Sequence, residues 1–491
     1  MKHVNKQWII SLLICGCAMF GHAQNFEDAF NAFASQNEQS FNRFTDSINR
    51  AFAEAMEANM QAFTGEQPKV RDPKPKPASL PEAPKQVPAP PPLPEIKPIH
   101  PGQHTKPEPA RPALPDVQLP EPVHPSSSAP PAEQLNYTEF DLFGDNIRYL
   151  KKPFPERMNG ISPKDVSAFW IQLSECDYEP LLQSCRAARM DRDFNDWAVY
   201  QLVLEMARQA YPRQYNEQVV LTVFLLNQLG MEAKVGFGNA HLFCLLAVEQ
   251  QLYGLSFANI AKNRYYLLEV DPNYINRKGT FSFRTYDTPF PTPTKALDIS
   301  IARPLKSADL GDITDSAINI STSMIELFST YPQTDITVYA NARPSDVFCR
   351  SVEEVFKPYL QPLSAVDAVD YLLAYVQYSF EYATDNEQFG YEKPFFCEEN
   401  FYYPQNDCED RSVLFAFLVR HLLLLDVVLI DYPGHLAAAV HFEEEIPGSF
   451  VTHDGKRYVI CDPTYIGASI GMEMPQFTPN DRTVVPVDGW K

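Results

Sequence analysis

Hydrophobic positions follow three rhythms along this chain. Between residues 25 and 64, Phe30, Phe41, Phe52 and Phe63 recur every 11 residues, with Phe33 and Phe44 beside the first two. The filling is Ala, Glu, Gln and Asn, and no Gly or Pro intervenes before Gly65. This pattern predicts one amphipathic helix over 25–65, and an 11-residue period gives slight right-handed supercoiling where such helices pair. A lone helix with an aromatic stripe needs a surface to cover, so self-association or docking to a cell-envelope partner is expected. A helix lying on its own domain is the alternative. The second rhythm is none at all. From Pro68 to Pro131 the chain holds 22 of its 44 prolines, including Pro73-Lys74-Pro75-Lys76-Pro77 and Pro90-Pro91-Pro92. Residues 66–134 therefore read as an extended, polyproline-II-like spacer.

The third rhythm, beginning near residue 135, alternates helix-length with strand-length apolar runs. Residues 137–149 predict a strand or hairpin, and helices follow around 168–170 and over 197–210. The run 219–226 is apolar on all sides, which predicts a buried helix. Residues 295–345 read as strand-rich, at 296–302 and 335–340. A helix is expected over about 364–380, and another from Cys408 to Leu425. Apolar strands are expected at 436–440 and 458–461. Between these last helices an aromatic-rich stretch (Phe389, Tyr391, Phe395, Phe396, Phe401, Tyr402, Tyr403) is a candidate cleft wall or lid, with plain packing as the alternative.

The pattern also repeats on a larger scale. Asn239-Ala240-His241-Leu242 matches Pro433-Gly434-His435-Leu436, and Val270-Asp271-Pro272-Asn273-Tyr274 matches Cys461-Asp462-Pro463-Thr464-Tyr465. Each follows an apolar helix, as an internal duplication would produce. In the first copy, counting back from His241 by the spacing of the second lands on Gln214, so that copy lacks a thiol. Cys244 is no substitute, because three residues along a strand points to the opposite face.

Asp407-Cys408-Glu409-Asp410-Arg411-Ser412 is where the candidate chemistry lies. Asp407 is the expected N-cap and Asp410 its capping-box partner. The cysteine then sits at the positive end of a buried helix, which favours a nucleophilic thiolate. His435 precedes one strand and Asp462 ends another. Thiol, imidazole and carboxylate are the parts of an acyl-transfer triad: nucleophile, proton acceptor, and the group that fixes the imidazole tautomer. The candidate catalytic residues are Cys408, His435 and Asp462. The backbone N–H of Cys408, with Gln377, Gln388 or Gln405, is the candidate oxyanion donor set.

The segment from roughly 364 to 472 resembles the transglutaminase-like superfamily, and its Asp-Cys-Glu-Asp run is similar to the bacterial transglutaminase-like cysteine proteases. Cys408, His435 and Asp462 match the nucleophile, base and carboxylate of that pattern. The resemblance implies an α+β fold. The expected organisation is a degenerate transglutaminase-like (papain-like) domain over 135–305 and a catalytic one over 306–491, after the helix and linker. It implies an exported cysteine hydrolase acting on a peptide or protein amide. The alternatives are a protein-glutamine transglutaminase and a non-catalytic envelope scaffold.

Charge and cysteine content narrow this further. At 491 residues with 45% hydrophobic content, the chain has material for two or three domains. A net charge of −21 argues against nucleic acid as a partner. Lys2, His3 and Lys6 precede an apolar run, and Gly21-His22-Ala23 ends it, as in a secretory signal peptide over 1–23. A lipid anchor at Cys17 is the rival. The expected location is extracytoplasmic, in a bacterial periplasm or envelope. Removing the leader leaves seven cysteines, an odd number that leaves one free; Cys176 with Cys185 and Cys349 with Cys397 are conceivable pairs. Asp407, Glu409 and Asp410 crowd the thiol with negative charge, which raises a thiol pKa. Compensation is expected from Arg411, protonated His435 or a cation, and Asp407 and Glu409 are candidate calcium ligands. A helix N-terminus dressed with acids is the other reading, and no further cofactor is expected.

Overall fold

The structure, a computed structural model, describes residues 45–71, 76–77, 79–84, 137–150, 153–238, 241–268, 281–309, 312–313 and 318–489. Residues 1–23, expected as a signal peptide, with Cys17, and also Phe30, Phe33, Phe41, Phe44 and most of the Pro-rich stretch lie outside them. The architecture is mixed α+β. Among the described residues, no helix is long and apolar enough to cross a membrane.

Helix α1 (residues 45–58) and strand β1 (Met60–Gly65) come first. The single helix expected over 25–65 is thus broken at Asn59, and Phe63 lies on a strand. Phe52 stays helical and packs 5.2 Å from Trp170 and 5.0 Å from Phe290, ring centre to ring centre. The Trp170 indole and the Gln228 amide both donate to Asn49 Oδ1. The described part of the phenylalanine stripe therefore covers its own domain. A hairpin follows, β2 (Tyr137–Leu142) with β3 (Asp145–Leu150), then helices α2 (Pro163–Ser174), α3 (Glu179–Asp191), α4 (Asp196–Ala210) and α5 (Tyr215–Gln228). Five strands complete this half: β4 (Ala233–Phe237), β5 (Leu242–Ala247), β6 (Phe257–Ile260), β7 (Asn263–Leu268) and β8 (Phe281–Tyr286). Their sheet runs β1-β8-β4-β5-β7-β6.

The connecting region is largely helical. The short pair β9 (Asp312–Ile313) and β10 (Ile320–Ser321) leads into α6 (Thr322–Ser329) and α7 (Ile336–Ala340). The strand expected at 335–340 is therefore a helix. Ile336, Val338, Tyr339 and Ala340 are all buried in this single turn, with Asp335 at the N-cap position. Helices α8 (Asp346–Leu360) and α9 (Ala365–Ser379) follow, each capped by a serine side chain, Ser345 and Ser364. The aromatic-rich stretch holds β11 (Glu381–Tyr382), α10 (Asp385–Gln388), α11 (Glu399–Tyr402) and β12 (Gln405–Asn406). Then come α12 (Cys408–Leu423), β13 (Val427–Tyr432), β14 (His435–His441), β15 (Phe450–His453), β16 (Lys456–Cys461) and β17 (Thr483–Pro486).

The second sheet runs β15-β16-β14-β13-β17 with antiparallel pairing throughout. Matching strands by their place after the buried helix turns the first sheet's β6-β7-β5-β4-β8 into the same order, also antiparallel. One continuous cluster of buried apolar side chains spans both halves, from Phe52 to Val487. Phe328 stacks on Phe396 at 4.2 Å within it.

Because Phe52 is only 2% exposed among aromatic neighbours, its truncation leaves a cavity. Phe52→Ala is expected to cost about 3–5 kcal/mol of unfolding free energy, measured by denaturant titration. A loss below about 1 kcal/mol would show that α1 does not dock.

Candidate active site

Helix α12 starts in the interior, and its first turn is organised by acids. Asp407 caps it, accepting from the Glu409 N–H at 3.1 Å, while Asp410 reaches back to the Asp407 N–H at 2.9 Å. This is the capping box expected from the sequence. Ser412 Oγ donates to the Leu436 carbonyl at 2.8 Å, and the Leu436 N–H donates to the Cys408 sulfur. The helix start is thereby fastened to the start of β14. The turn before β14 is Pro433-Gly434, with Gly434 at φ 80°, a conformation that strains any side-chain-bearing residue.

His435 opens β14, and Asp462 follows β16. Continuing the register Ala438↔Cys461 puts Asp462 opposite Ala437, one side-chain repeat along the same face from His435. His435 Nε2 lies 2.9 Å from Asp462 Oδ2. The other carboxylate oxygen accepts from the Thr464 N–H, the Thr464 hydroxyl and the Tyr465 N–H at 2.8–3.2 Å. Burial works to raise the Asp462 pKa, but His435 and these donors outweigh it and hold the carboxyl below its usual range. An ionised carboxylate has no proton to give, so the proton in this bond sits on Nε2 and Nδ1 presents a lone pair. His435 is 4% exposed, and its Nδ1 has no hydrogen-bond partner. Phe477 stacks on the imidazole at 5.4 Å and Tyr432 at 5.9 Å, which fixes the ring plane.

Cys408 and His435 line one cavity of about 230 Å³, together with Arg71, Lys76, Glu409, Asp431, Tyr432, Pro433, Asp481 and Thr483. The three residues expected to form the triad are therefore brought to one place. Cys408 is 1% exposed. Burial first and Asp407 second push its thiol pKa well above the ordinary range, and Lys76 pulls it down.

The glutamines lie elsewhere. Gln377 Nε2 donates to the carbonyls of Asp462, Tyr465 and Ala468, and its Oε1 accepts from the Gly467 N–H. It clamps the turn that carries Asp462 and is no oxyanion donor. Gln388 Nε2 donates to the Gln405 carbonyl, and neither residue lines the cavity. That leaves the Cys408 N–H, which as a first-turn amide has no intrahelical acceptor. Arg411 is also taken: it is completely buried and donates to Asn406 Oδ1 and the carbonyls of Gln377 and Phe380. Burial pulls its pKa down to about 10.

The Arg411 charge still interacts with Asp410, Asp407 and Cys408, as expected, and further compensation comes from the Pro-rich stretch. Lys76 Nζ lies 2.6 Å from Asp407 Oδ2, 2.6 Å from Glu392, 3.0 Å from Glu409 and 3.7 Å from Asp385. Arg71 pairs with the other Glu409 oxygen. Burial would raise the Glu409 pKa, but Arg71 and Lys76 hold it down at about 2. Both candidate calcium ligands, Asp407 and Glu409, thus hold an ammonium. Among the described residues, Asp385, Glu392 and Glu409 form one group with metal-compatible spacing, and Asp385, Asp407 and Asp410 another. Nothing in the sequence links Lys76 to Asp407, 331 positions away; the only signal was two lysines alternating with prolines. The aromatic stretch packs inward, with Phe395 and Tyr403 stacked at 5.0 Å beneath Lys393, while its acids Asp385 and Glu392 face Lys76.

In the first half, the Leu242 N–H donates to Asn216 Oδ1 at 3.0 Å. The bond that Cys408 accepts in the second half is thus accepted here by Asn216 rather than Gln214. Gln214 is the residue before α5. Asn239, Ala240 and Asp271 lie outside the described residues. All seven cysteines among the described residues are free, so neither conceivable pair is formed. No protein-family model matches the chain, and no match is found among curated proteins or solved structures.

Burial and the neighbouring carboxylates raise the Asp385 pKa well above its usual value. The folded chain then holds that proton more tightly than the unfolded chain, so stability falls as pH rises through the ordinary carboxylate range. Asn cannot titrate and keeps an oxygen for the Lys393 N–H that Asp385 accepts. The melting temperature of Asp385→Asn relative to wild type is expected to become more favourable by about 2 °C or more between about pH 4 and pH 7. A constant difference would contradict the charge crowding. Glu409 has the opposite sign, its contribution falling progressively as pH drops from about 4.5 towards about 2, but it is present in both proteins and cancels in the difference.

Proposed function

We propose that the chain is a cysteine hydrolase, a peptidase or amidase of the transglutaminase-like type, working by acyl transfer at Cys408. The observation that carries this reading is the His435 Nε2–Asp462 contact, which leaves a bare Nδ1 lone pair on the cavity that Cys408 also lines. His435 Nδ1 takes the thiol proton as sulfur attacks the amide carbonyl, and the carbonyl electron pair moves to oxygen. The Cys408 N–H donates to that oxyanion, aided by the helix dipole. The pair returns as the C–N bond breaks, and His435 gives its proton to the leaving amine. Water, deprotonated by His435, then cleaves the thioester and restores the thiol. An amine in place of water gives a transglutaminase.

The matching strand orders, and Asn216 where a thiol would stand, favour a duplicated core whose first copy is silent. The pattern in residues 1–23 favours an exported, envelope-located enzyme. One observation favours a non-catalytic binding module instead: the resting thiol is held protonated by burial and Asp407.

Acylation by p-nitrophenyl acetate, located by peptide mass spectrometry, separates the two. The wild-type chain is expected to acylate at Cys408 and turn over, and His435→Ala to do so about a hundredfold more slowly. Acylation of Cys408 no faster than of Cys349, or insensitive to His435→Ala, would sink the enzyme reading. Incorporation of an added amine would mark the transglutaminase form.

A further inference from the structure

Residues 66–84, read from sequence as spacer, cross from the first sheet to the second along their described positions. Glu66 pairs with Phe257, and the Lys69 carbonyl accepts from the Gly254 N–H at 2.9 Å. The Tyr382 hydroxyl donates to the Pro77 carbonyl at 2.7 Å. Pro81 and Ala83 exchange backbone hydrogen bonds with Ile466, and Ala83 is buried beside Tyr465 and Met474. Main-chain hydrogen bonds to an extended segment, with single side chains seated in pockets, are how protein surfaces hold extended peptides. Here the seated side chain is Lys76.

We propose that Asp385, Glu392, Asp407 and Glu409 form a subsite for a basic side chain of the substrate, and that Lys76 fills it as an internal occupant which a substrate lysine displaces. The inference rests on the acyl-transfer reading of Cys408 and supplies the class of substrate.

The geometry suits an ammonium. Lys76 Nζ donates to Asp407 and Glu409 within 3.0 Å and lies 2.6 Å from Glu392 as an ion pair, and the Lys76 side chain is 7% exposed. Two of these carboxylates belong to the immediate neighbours of Cys408, so a bound ammonium lies beside the nucleophile. A separate observation points to a ligand in the same cavity: the buried His435 Nδ1 has no partner there. Arg71 and Lys76 line the same cavity as Cys408. A substrate lysine would also take the place of Lys76, a positive group that lowers the thiol pKa.

The test removes the occupant from the full chain. Lys76→Ala is melted in n-butylammonium chloride, sodium chloride and calcium chloride at equal ionic strength. Butylammonium is expected to raise its melting temperature over sodium by about 2 °C or more, and to leave wild type unmoved. Equal curves in butylammonium and sodium, or a rise confined to calcium, overturn the subsite. Should Lys76→Ala not fold, Lys76→Met keeps the aliphatic stem. Its Cys408 is then modified by aminoethyl methanethiosulfonate and by the neutral propyl reagent, with Cys349 as reference for the general field. The cationic reagent is expected to gain about tenfold at Cys408 over its ratio at Cys349; equal ratios overturn the proposal. Melting does not involve Cys408 chemistry, so a missing subsite and an inert thiol are read separately.

Discussion

A helix that begins in the interior must find partners there for its first amides and its charges, and α12 sets the terms for the rest of the molecule. Its first turn carries Asp407, Glu409 and Asp410, all essentially buried. Unpaired buried carboxylates cost several kcal/mol each, more than any single helix cap returns. Two of the three are answered by capping hydrogen bonds. The remaining charge is answered from far away in sequence, by Lys76 and Arg71. A stretch too rich in proline to build a core is thereby drawn onto the protein surface. Its described residues are held by the carbonyls of Lys69, Pro77 and Pro81, the Ala83 N–H, and the side chains of Arg71 and Lys76.

The same constraint explains what the sequence made legible. Cys408, His435 and Asp462 each stand at an element boundary, and boundaries are written in local chemistry: a capping box, a Pro-Gly turn, an Asp-Pro pair. Local rules therefore placed them, and buried apolar runs placed the strands between them. What was hidden depended on distant contacts. The phenylalanine period continued through Asn59 although the chain did not, because Phe63 gains a partner on β8, Phe283, that periodicity cannot see. Residues 335–340 have strand-like composition, yet a helix satisfies their backbone against the core. Gln377 was plausible as an oxyanion donor by residue type alone, but three carbonyls of the Asp462 turn claim its amide.

The two halves show how one arrangement can serve two ends. In both, a buried helix is tied to the start of a strand, by the Leu242 N–H, first in β5, and by the Leu436 N–H, second in β14. Asn216 accepts it through an amide oxygen and Cys408 through sulfur. The tie is structural and needs no thiol, so the first half makes it without a cysteine. The second half departs by adding the stretch from Glu381 to Asn406, which brings Asp385 and Glu392 to the helix start. The extra acids are a liability for packing unless something cationic sits among them. That is an argument for reading them together with Lys76 rather than as a decorated helix end.

The site separates geometry from charge. The imidazole is already fixed in plane by Phe477 and Tyr432, and in tautomer by Asp462, so binding need not reorganise that part. The thiol, by contrast, is held protonated by burial and by its neighbour's carboxylate, and the ammonium opposing this is borrowed from the strap. A resting site of this kind is set by electrostatics while its proton acceptor stays in place. Withdrawing the Lys76 ammonium would remove a charge that opposes Asp407, whereas exposing the sulfur would relieve the burial that chiefly raises its pKa. On the proposed acyl-transfer reading, a neutral group that took the place of Lys76 and kept the sulfur buried would therefore leave the thiol less able to attack, and one that brought an ammonium would not.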